Sequence, residues 1–290
     1  MPSRLDARAV ALAIIIMAIL GGTYTMVKVG LRDLPVVGSL LLRMLVAAVA
    51  LGTYACWARV PLGYRGRAAW FIAAGTLAFI AMQLLLYAGL TVTPAGRAAI
   101  LYNIQPFLTL LVLPRVLPAE RLTVRRALGT GVAFVGVVFV LAERGAGGGS
   151  LLGDGLVLLA AATWTVVIIL SKVTPNEVNA VSLIFWNVAG AAPVLALLAV
   201  VVEPTVTWRL SAPAVASILY LGVLAAGVGF VGFVWLTRTY AATRVNAFVF
   251  LSPVFGVLIA WGALGESVTA LQAAGALAVA SGIWIVNTGS

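Results

Sequence analysis

The sequence predicts an all-α integral membrane protein with ten transmembrane helices, arranged as two inverted five-helix repeats. Three observations carry that prediction. Of 290 residues, 63% are hydrophobic and only 9% charged, against about 25% charged in an ordinary soluble domain. The apolar residues fall into ten runs, each close to the roughly 20 residues that a helix needs to cross a bilayer core. The second five runs repeat the polar landmarks of the first five in the same order. A mean hydropathy of +1.15 suits lipid as the solvent, because a soluble protein of this size must show a largely polar surface to water.

The runs lie at 9–29, 36–58, 68–91, 95–114, 124–142, 153–173, 180–202, 211–237, 243–264 and 268–287. The first is longer than a signal-peptide core and no small-residue cleavage motif follows it, so it is expected to stay as a span. Pro35 separates it from the second, which carries Arg43 inside its apolar stretch. Pro61 and Gly63 break the chain before the third span, where Gln83 and Tyr87 stand four residues apart and share a face. Pro94 and Gly96 precede the fourth, which carries Arg97, Tyr102, Asn103, Gln105 and a mid-span Pro106. Pro118 precedes the fifth, with Gly129, Ala133 and Gly136 at close spacing. Gly145 to Gly149 form a flexible linker. The expected division is therefore 1–145 and 146–290, two repeats within one transmembrane domain.

The sixth span carries Thr163 and Trp164, and Pro175 ends it. The seventh carries Trp186, and Pro204 and Pro213 mark the turn to the eighth. The ninth contains Asn246, Ser252 and Pro253; the tenth contains Ala274, Ala278 and Gly282. Breakers of this kind punctuate helices because proline lacks an N–H and glycine lacks a Cβ. Trp57, Trp70 and Trp208 stand near span ends and read as interfacial anchors.

The internal repeat rests on order. Gly75, Arg97 and Pro106 match Gly222, Arg244 and Pro253. Thr23-Tyr24-Thr25 matches Thr163-Trp164-Thr165. The run Ser39 to Met44 matches Ser182 to Asn187, which sets Arg43 against Trp186. Glu120, Thr123, Gly129 and Gly136 match Glu266, Thr269, Gly275 and Gly282. An odd number of spans per repeat turns the second copy upside down. Secondary transporters of this design hold their substrate near the midplane, between the repeats.

With the N-terminus in the cytoplasm, twelve of the 18 Lys and Arg residues lie in inner segments. Five lie in outer ones, counting Lys28, Arg32, Arg97, Arg144 and Arg209; Arg43 is within a span. This asymmetry places both termini in the cytoplasm and the protein in the cytoplasmic (inner) membrane. The net charge of +10 is spread between apolar runs rather than gathered in a patch, so no nucleic-acid partner is expected.

This pattern resembles the drug/metabolite transporter superfamily in its ten-helix EamA-type branch. The residues that carry the resemblance are Lys28, Pro35, Arg43, the paired Pro106 and Pro253, and Glu120 and Glu266. The resemblance implies a basket-like arrangement in which the first, third, fourth, sixth, eighth and ninth spans surround a cavity. The second and seventh flank it, and the fifth and tenth pack together outside. It also implies export of amino acids or related small metabolites.

Polar side chains inside a bilayer tend to face the protein interior or a water-filled path. The candidate substrate-binding residues are Thr23, Tyr24, Gln83, Tyr87, Tyr102, Asn103, Thr163, Trp164 and Asn246. The competing reading is structural, since such groups also bond between packed transmembrane helices. An aromatic and amide lining suits a neutral zwitterion with an apolar side chain. Arg43 is expected to be a structural charge that fixes packing, with capture of a substrate carboxylate as the competing use. Pro106 and Pro253 are candidate hinges, since each removes a backbone hydrogen bond.

What the chain lacks narrows the chemistry. It has no His and a single cysteine, Cys56, and no cluster of metal-ligand spacing or Walker-type loop. No cofactor, no metal and no catalytic residue are expected, and the protein is not expected to be an enzyme. No acid lies mid-span, which points to a facilitator or to coupling through a group near a span end such as Glu120 or Glu266. The expected partners are a small-molecule substrate and the lipid bilayer. A monomer is expected, with a homodimer as the alternative. A membrane scaffold, an intramembrane enzyme, or an exporter of other metabolites or drugs are the other readings.

Overall fold

The computed structural model describes residues 7–64, 66–116, 124–142, 150–174, 178–240 and 247–287. Among them the chain is helical and contains no strand. The helices are α1 (Ala7–Gly21), α2 (Thr23–Gly30), α3 (Val36–Trp57), α4 (Arg67–Val92), α5 (Ala95–Tyr102), α6 (Gln105–Val116), α7 (Val124–Ala142), α8 (Leu151–Val173), α9 (Ala180–Val202) and α10 (Ala212–Leu219). A π-helical stretch (Tyr220–Val231) then leads into α11 (Gly232–Thr239). A 3-10 turn (Ala247–Phe250) precedes α12 (Leu251–Leu264), and α13 (Ala270–Asn287) follows.

Among the described residues, six stretches are long and apolar enough to cross a membrane: Ala7–Gly30, Val36–Trp57, Arg67–Val92, Leu151–Val173, Val181–Val202 and Ala212–Val231. Ala127–Ala142, Leu251–Leu264 and Ala270–Ile285 are shorter apolar helices. The predicted fourth span, 95–114, divides at Asn103 and Ile104, so neither α5 nor α6 is long enough alone. The first span bends at Gly22 between α1 and α2, and the π-helical stretch interrupts the eighth. Continuous apolar runs in the sequence therefore conceal several helical breaks.

Helix starts are secured by acceptors. Ser150, Asn179 and Ser211 each accept a hydrogen bond from a backbone N–H of the helix they precede, meeting donors that have no partner inside the helix. Two starts are capped across the fold instead. The Glu203 carboxylate accepts from Val37 N and Gly38 N at 2.9 and 3.0 Å. The Glu266 carboxylate accepts from Ala95 N and Gly96 N at 2.8 and 2.9 Å. A carboxylate there also meets the positive end of the helix dipole.

Packing pairs distant helices. α7 lies along α13, α3 along α9, and α5 along α12. α4 packs on both α8 and α9, α3 also meets the π-helical stretch, and α1 meets α12 and the same stretch. The α7–α13 seam is built of small residues, as expected from Gly129, Ala133, Gly136, Ala278 and Gly282. A Cβ on Gly282 would sit 2.5 Å from the Gly129 carbonyl oxygen, and one on Gly136 would sit 2.7 Å from that of Gly275.

Large apolar side chains such as Val49, Leu77, Leu128, Val138, Leu159 and Val200 are exposed, as a bilayer requires. Trp57 and Trp70 are exposed as well, at 81% and 66%, in keeping with anchors at the membrane surface. Trp208 is partly covered, with its indole over Gly38. Cys56 is exposed in the last turn of α3.

Candidate functional site

The polar residues of the membrane interior gather where α2, α3, α4 and α5 meet, with α8 behind α4. Arg43 of α3 donates from Nη1 to the Tyr87 hydroxyl at 3.2 Å, and its guanidinium carbon lies 5.9 Å from the centre of the Tyr87 ring. That distance allows a cation–π contact as well as the hydrogen bond. The rings of Tyr24 and Tyr102 meet edge to face at 5.9 Å. The Tyr102 hydroxyl donates to the Met82 sulfur of α4 at 3.4 Å, and Tyr24, Tyr87 and Tyr102 belong to one packed cluster. Gln83 is 4% exposed, and its Nε2 has no hydrogen-bond partner. Trp164 of α8 stands 6.4 Å from Phe79 of α4, ring to ring.

Of the residues picked from the sequence, Tyr24, Tyr87 and Tyr102 thus share one locality with Arg43, and Gln83 stands one helical turn from Tyr87 on α4. Others are satisfied within their own helices. Thr163 Oγ1 donates to Leu159 O at 2.8 Å, and Asn103 Nδ2 to Ala99 O at 2.7 Å. Thr23 is half-buried at the start of α2. Asn246 lies outside the described residues, as do Glu120 and Arg244.

The two prolines stand beside breaks rather than inside continuous helices. Pro106 is the second residue of α6, just beyond the turn at Asn103 and Ile104. Pro253 is the third residue of α12, just beyond the 3-10 turn. A proline in the first turn of a helix removes no intrahelical bond.

Sequence reasoning missed one polar network. Arg97, counted there as an outer-segment charge, is buried at 1% exposure. Its Nε and Nη2 donate to the Asp154 carboxylate at 2.6 to 3.0 Å, and the Thr93 hydroxyl donates to the same carboxylate at 3.3 Å. Lys28 donates to the Thr93 carbonyl at 2.9 Å and approaches Glu266 at 3.4 Å. The available signals were an Arg matched in both repeats and an acid in the first turn of the sixth span. Their pairing across 57 residues is a tertiary fact. Nearby, Asp33 accepts from Ser211 and from Arg209 through its backbone carbonyl, and Ser217 donates to Met26 O. Apart from the Ser217–Met26 bond, these ties join the C-terminal ends of α2, α4 and α12 to the starts of α5, α8 and α10.

A cavity of about 470 Å³ opens elsewhere, between α4 and α9, lined by Tyr64, Ile72, Thr76, Ile80, Trp186 and Gly190. Its wall is almost wholly apolar, so it offers nothing to hold a charged group. Among the described residues no cluster of metal-ligating side chains occurs.

Known proteins resemble the chain over most of its length. The profile of the EamA-like transporter family matches residues 7–142 and again 151–288. A probable terminal-alkyne amino-acid exporter of Streptantibioticus cattleyicolor is 31% identical over 271 residues, 90% of this chain and 87% of that one. A probable amino-acid metabolite efflux pump of Salmonella typhimurium is 28% identical over 289 residues, 94% and 93% of the two chains. An uncharacterized Bacillus subtilis transporter, YoaV, is 25% identical over 272 residues, 91% of each. One crystal structure shares the fold with a TM-score of 0.69 at 18% identity, covering 97% of this chain and 96% of its own.

Proposed function

The chain belongs to the EamA-like transporter family and is a multi-pass membrane transporter, not an enzyme; from that premise we propose that it exports amino acids with apolar or aromatic side chains, or close metabolites, across the cytoplasmic membrane by alternating access. The observation that carries this reading is the Arg43–Tyr87 contact and the Tyr24–Tyr102 ring pair, on helices of one packed cluster, beside a buried Gln83. Aromatic faces there can pack a side chain, and fixed polar groups can orient the head of the molecule.

Two inverted five-helix repeats supply the mechanical basis. The family profile matches each half in turn. The helix contacts also exchange when the halves are exchanged. The second span meets the eighth as the seventh meets the third, and the first meets the ninth as the sixth meets the fourth. In this reading ten spans are present, with both termini cytoplasmic and the breaks beside Pro106 and Pro253 serving as hinges. The polar ties among Lys28, Thr93, Asp154, Glu203 and Glu266 then hold the outer end closed. Opening that end means exchanging these bonds for water.

Transport is read as uncoupled, driven by the substrate gradient. Proteoliposomes holding the purified protein test this with labelled Thr, Met, Phe and Trp, with and without a pH gradient. Downhill flux that ignores the gradient and falls in Gln83→Ala and Tyr102→Phe is the expected result. Flux that requires the gradient overturns the facilitator reading and points to Glu120 or Glu266. No flux of any amino acid overturns the substrate assignment.

A further inference from the structure

We propose that Arg43 is the anchor for a substrate carboxylate, and that the site therefore selects its cargo by the carboxylate and not by the ammonium. The inference rests on the transporter reading above and goes further by naming the recognised group.

Arg43 is a half-buried guanidinium inside an apolar helix, eight residues beyond Pro35. A charge at that depth is costly, and one that persists there meets a partner or a substrate. Its one hydrogen-bond partner among the described residues is the Tyr87 hydroxyl, a neutral group that occupies a single N–H of five. No acid among the described residues serves it. Asp154 is held by Arg97, Glu266 by Lys28 and the start of α5, Glu203 by the start of α3, and Asp33 by Ser211.

The buried polar atom beside Arg43 that lacks a partner is a donor. Gln83 Nε2 is buried without a partner. The Tyr87 hydroxyl, already accepting from Arg43, keeps its own proton to give. Tyr102 gives its proton to a thioether sulfur, which is a weak acceptor. A forked cation that no acid among the described residues meets, beside a buried amide nitrogen without a partner, calls for an anion with several lone pairs. A carboxylate meets that need, because it takes a guanidinium by two parallel bonds and has room for a further donor.

A structural role explains less. The repeat sets Trp186 at the position of Arg43, and Trp186 donates instead to Leu62 O in the connection between α3 and α4. The equivalent helix in the second half packs without a cation at that point. An ammonium, by contrast, finds no acid among the described residues of the site. Ring faces could hold it, but Arg43 already lies against that of Tyr87. The recognised class is thus an apolar or aromatic carboxylic acid in which the amino group is dispensable, 2-hydroxy acids included.

The test uses intact protein in liposomes and compares L-phenylalanine, phenyllactate, phenylalaninamide and phenethylamine as substrates or competitors. Phenyllactate should be handled within about tenfold of phenylalanine. The amide and the amine should be weaker by about ten- to hundredfold, the range for losing hydrogen bonds to a charged group. Arg43→Met should remove the preference for acids over the amide, and Arg43→Lys should keep part of it. The ligand comparison on the unaltered protein stands even if either variant fails to fold. Transport of phenyllactate without phenylalanine keeps the anchor and overturns the amino-acid reading. Transport of phenylalanine and its amide alike, or an Arg43→Met protein with unchanged preference, overturns the anchor and leaves the exporter reading intact. If no carboxylate moves or binds, both fall.

Discussion

Burying a guanidinium and a carboxylate together is tolerable only while both remain. At Arg97 and Asp154 each side chain is at most 2% exposed and the closest N–O distance is 2.6 Å. Removing one partner leaves an uncompensated charge, at a cost of about 3–5 kcal/mol. Asp154→Ala should therefore lower the thermal midpoint of the detergent-purified protein sharply. The double variant Arg97→Met/Asp154→Leu should recover most of the loss, since an apolar pair of similar volume needs no desolvation. A double variant as unstable as Asp154→Ala alone would show that the pair does more than balance charge. At this scale the sequence was partly legible. Tyr24, Gln83, Tyr87 and Tyr102 were readable as polar or amphipathic residues in apolar runs, because the bilayer makes every such residue conspicuous. The Arg97–Asp154 pair was not, because either residue alone reads as a span-end charge. Asn103 and Thr163 were readable in the same way. A carbonyl one turn back on their own helices satisfies each, and composition cannot tell that bond from one to a substrate.

Along the elements, two kinds of feature decide behaviour: where helices break and where they touch. Pro106 sits in the first turn of α6, beyond a break. Pro106→Ala should cost little stability there while favouring continuity between α5 and α6. If the break is a hinge, the variant should slow flux with substrate affinity nearly unchanged; equal flux in single-turnover counterflow would remove the hinge. Contact is decided at α7 and α13, where backbones approach to glycine distance. Gly282→Ala puts a methyl group 2.5 Å from the Gly129 carbonyl and should destabilise by about 1–3 kcal/mol, read as a fall in thermal midpoint. The small-residue seam was visible in the sequence because its spacing repeats in both halves. The breaks beside Pro106 and Pro253 were signalled by the prolines, whereas those at Gly22 and in the eighth span were hidden. Hydropathy reports only that a residue prefers lipid, and a π-helical stretch is as apolar as an α-helix.

At the scale of the molecule, the polar ties lie at one set of helix ends and the exposed α3 terminus at the other. The all-helical, membrane-spanning class was legible because a chain with so few charged residues has lipid as its suitable solvent, and because breakers divide the apolar runs. Orientation rests on the distribution of Lys and Arg, and the burial of Arg97 removes one residue from the outer tally, which strengthens the bias. Cys56 turns that reading into something that can be seen directly. A chain with one thiol, exposed beside Trp57, carries its own address label. A membrane-impermeant maleimide should modify Cys56 in everted vesicles and leave it untouched in intact spheroplasts; the reverse pattern would invert the whole topology. The wild-type protein is thus ready for a single-dye tag without mutagenesis, so its sidedness can be read on the same molecules whose export is being counted.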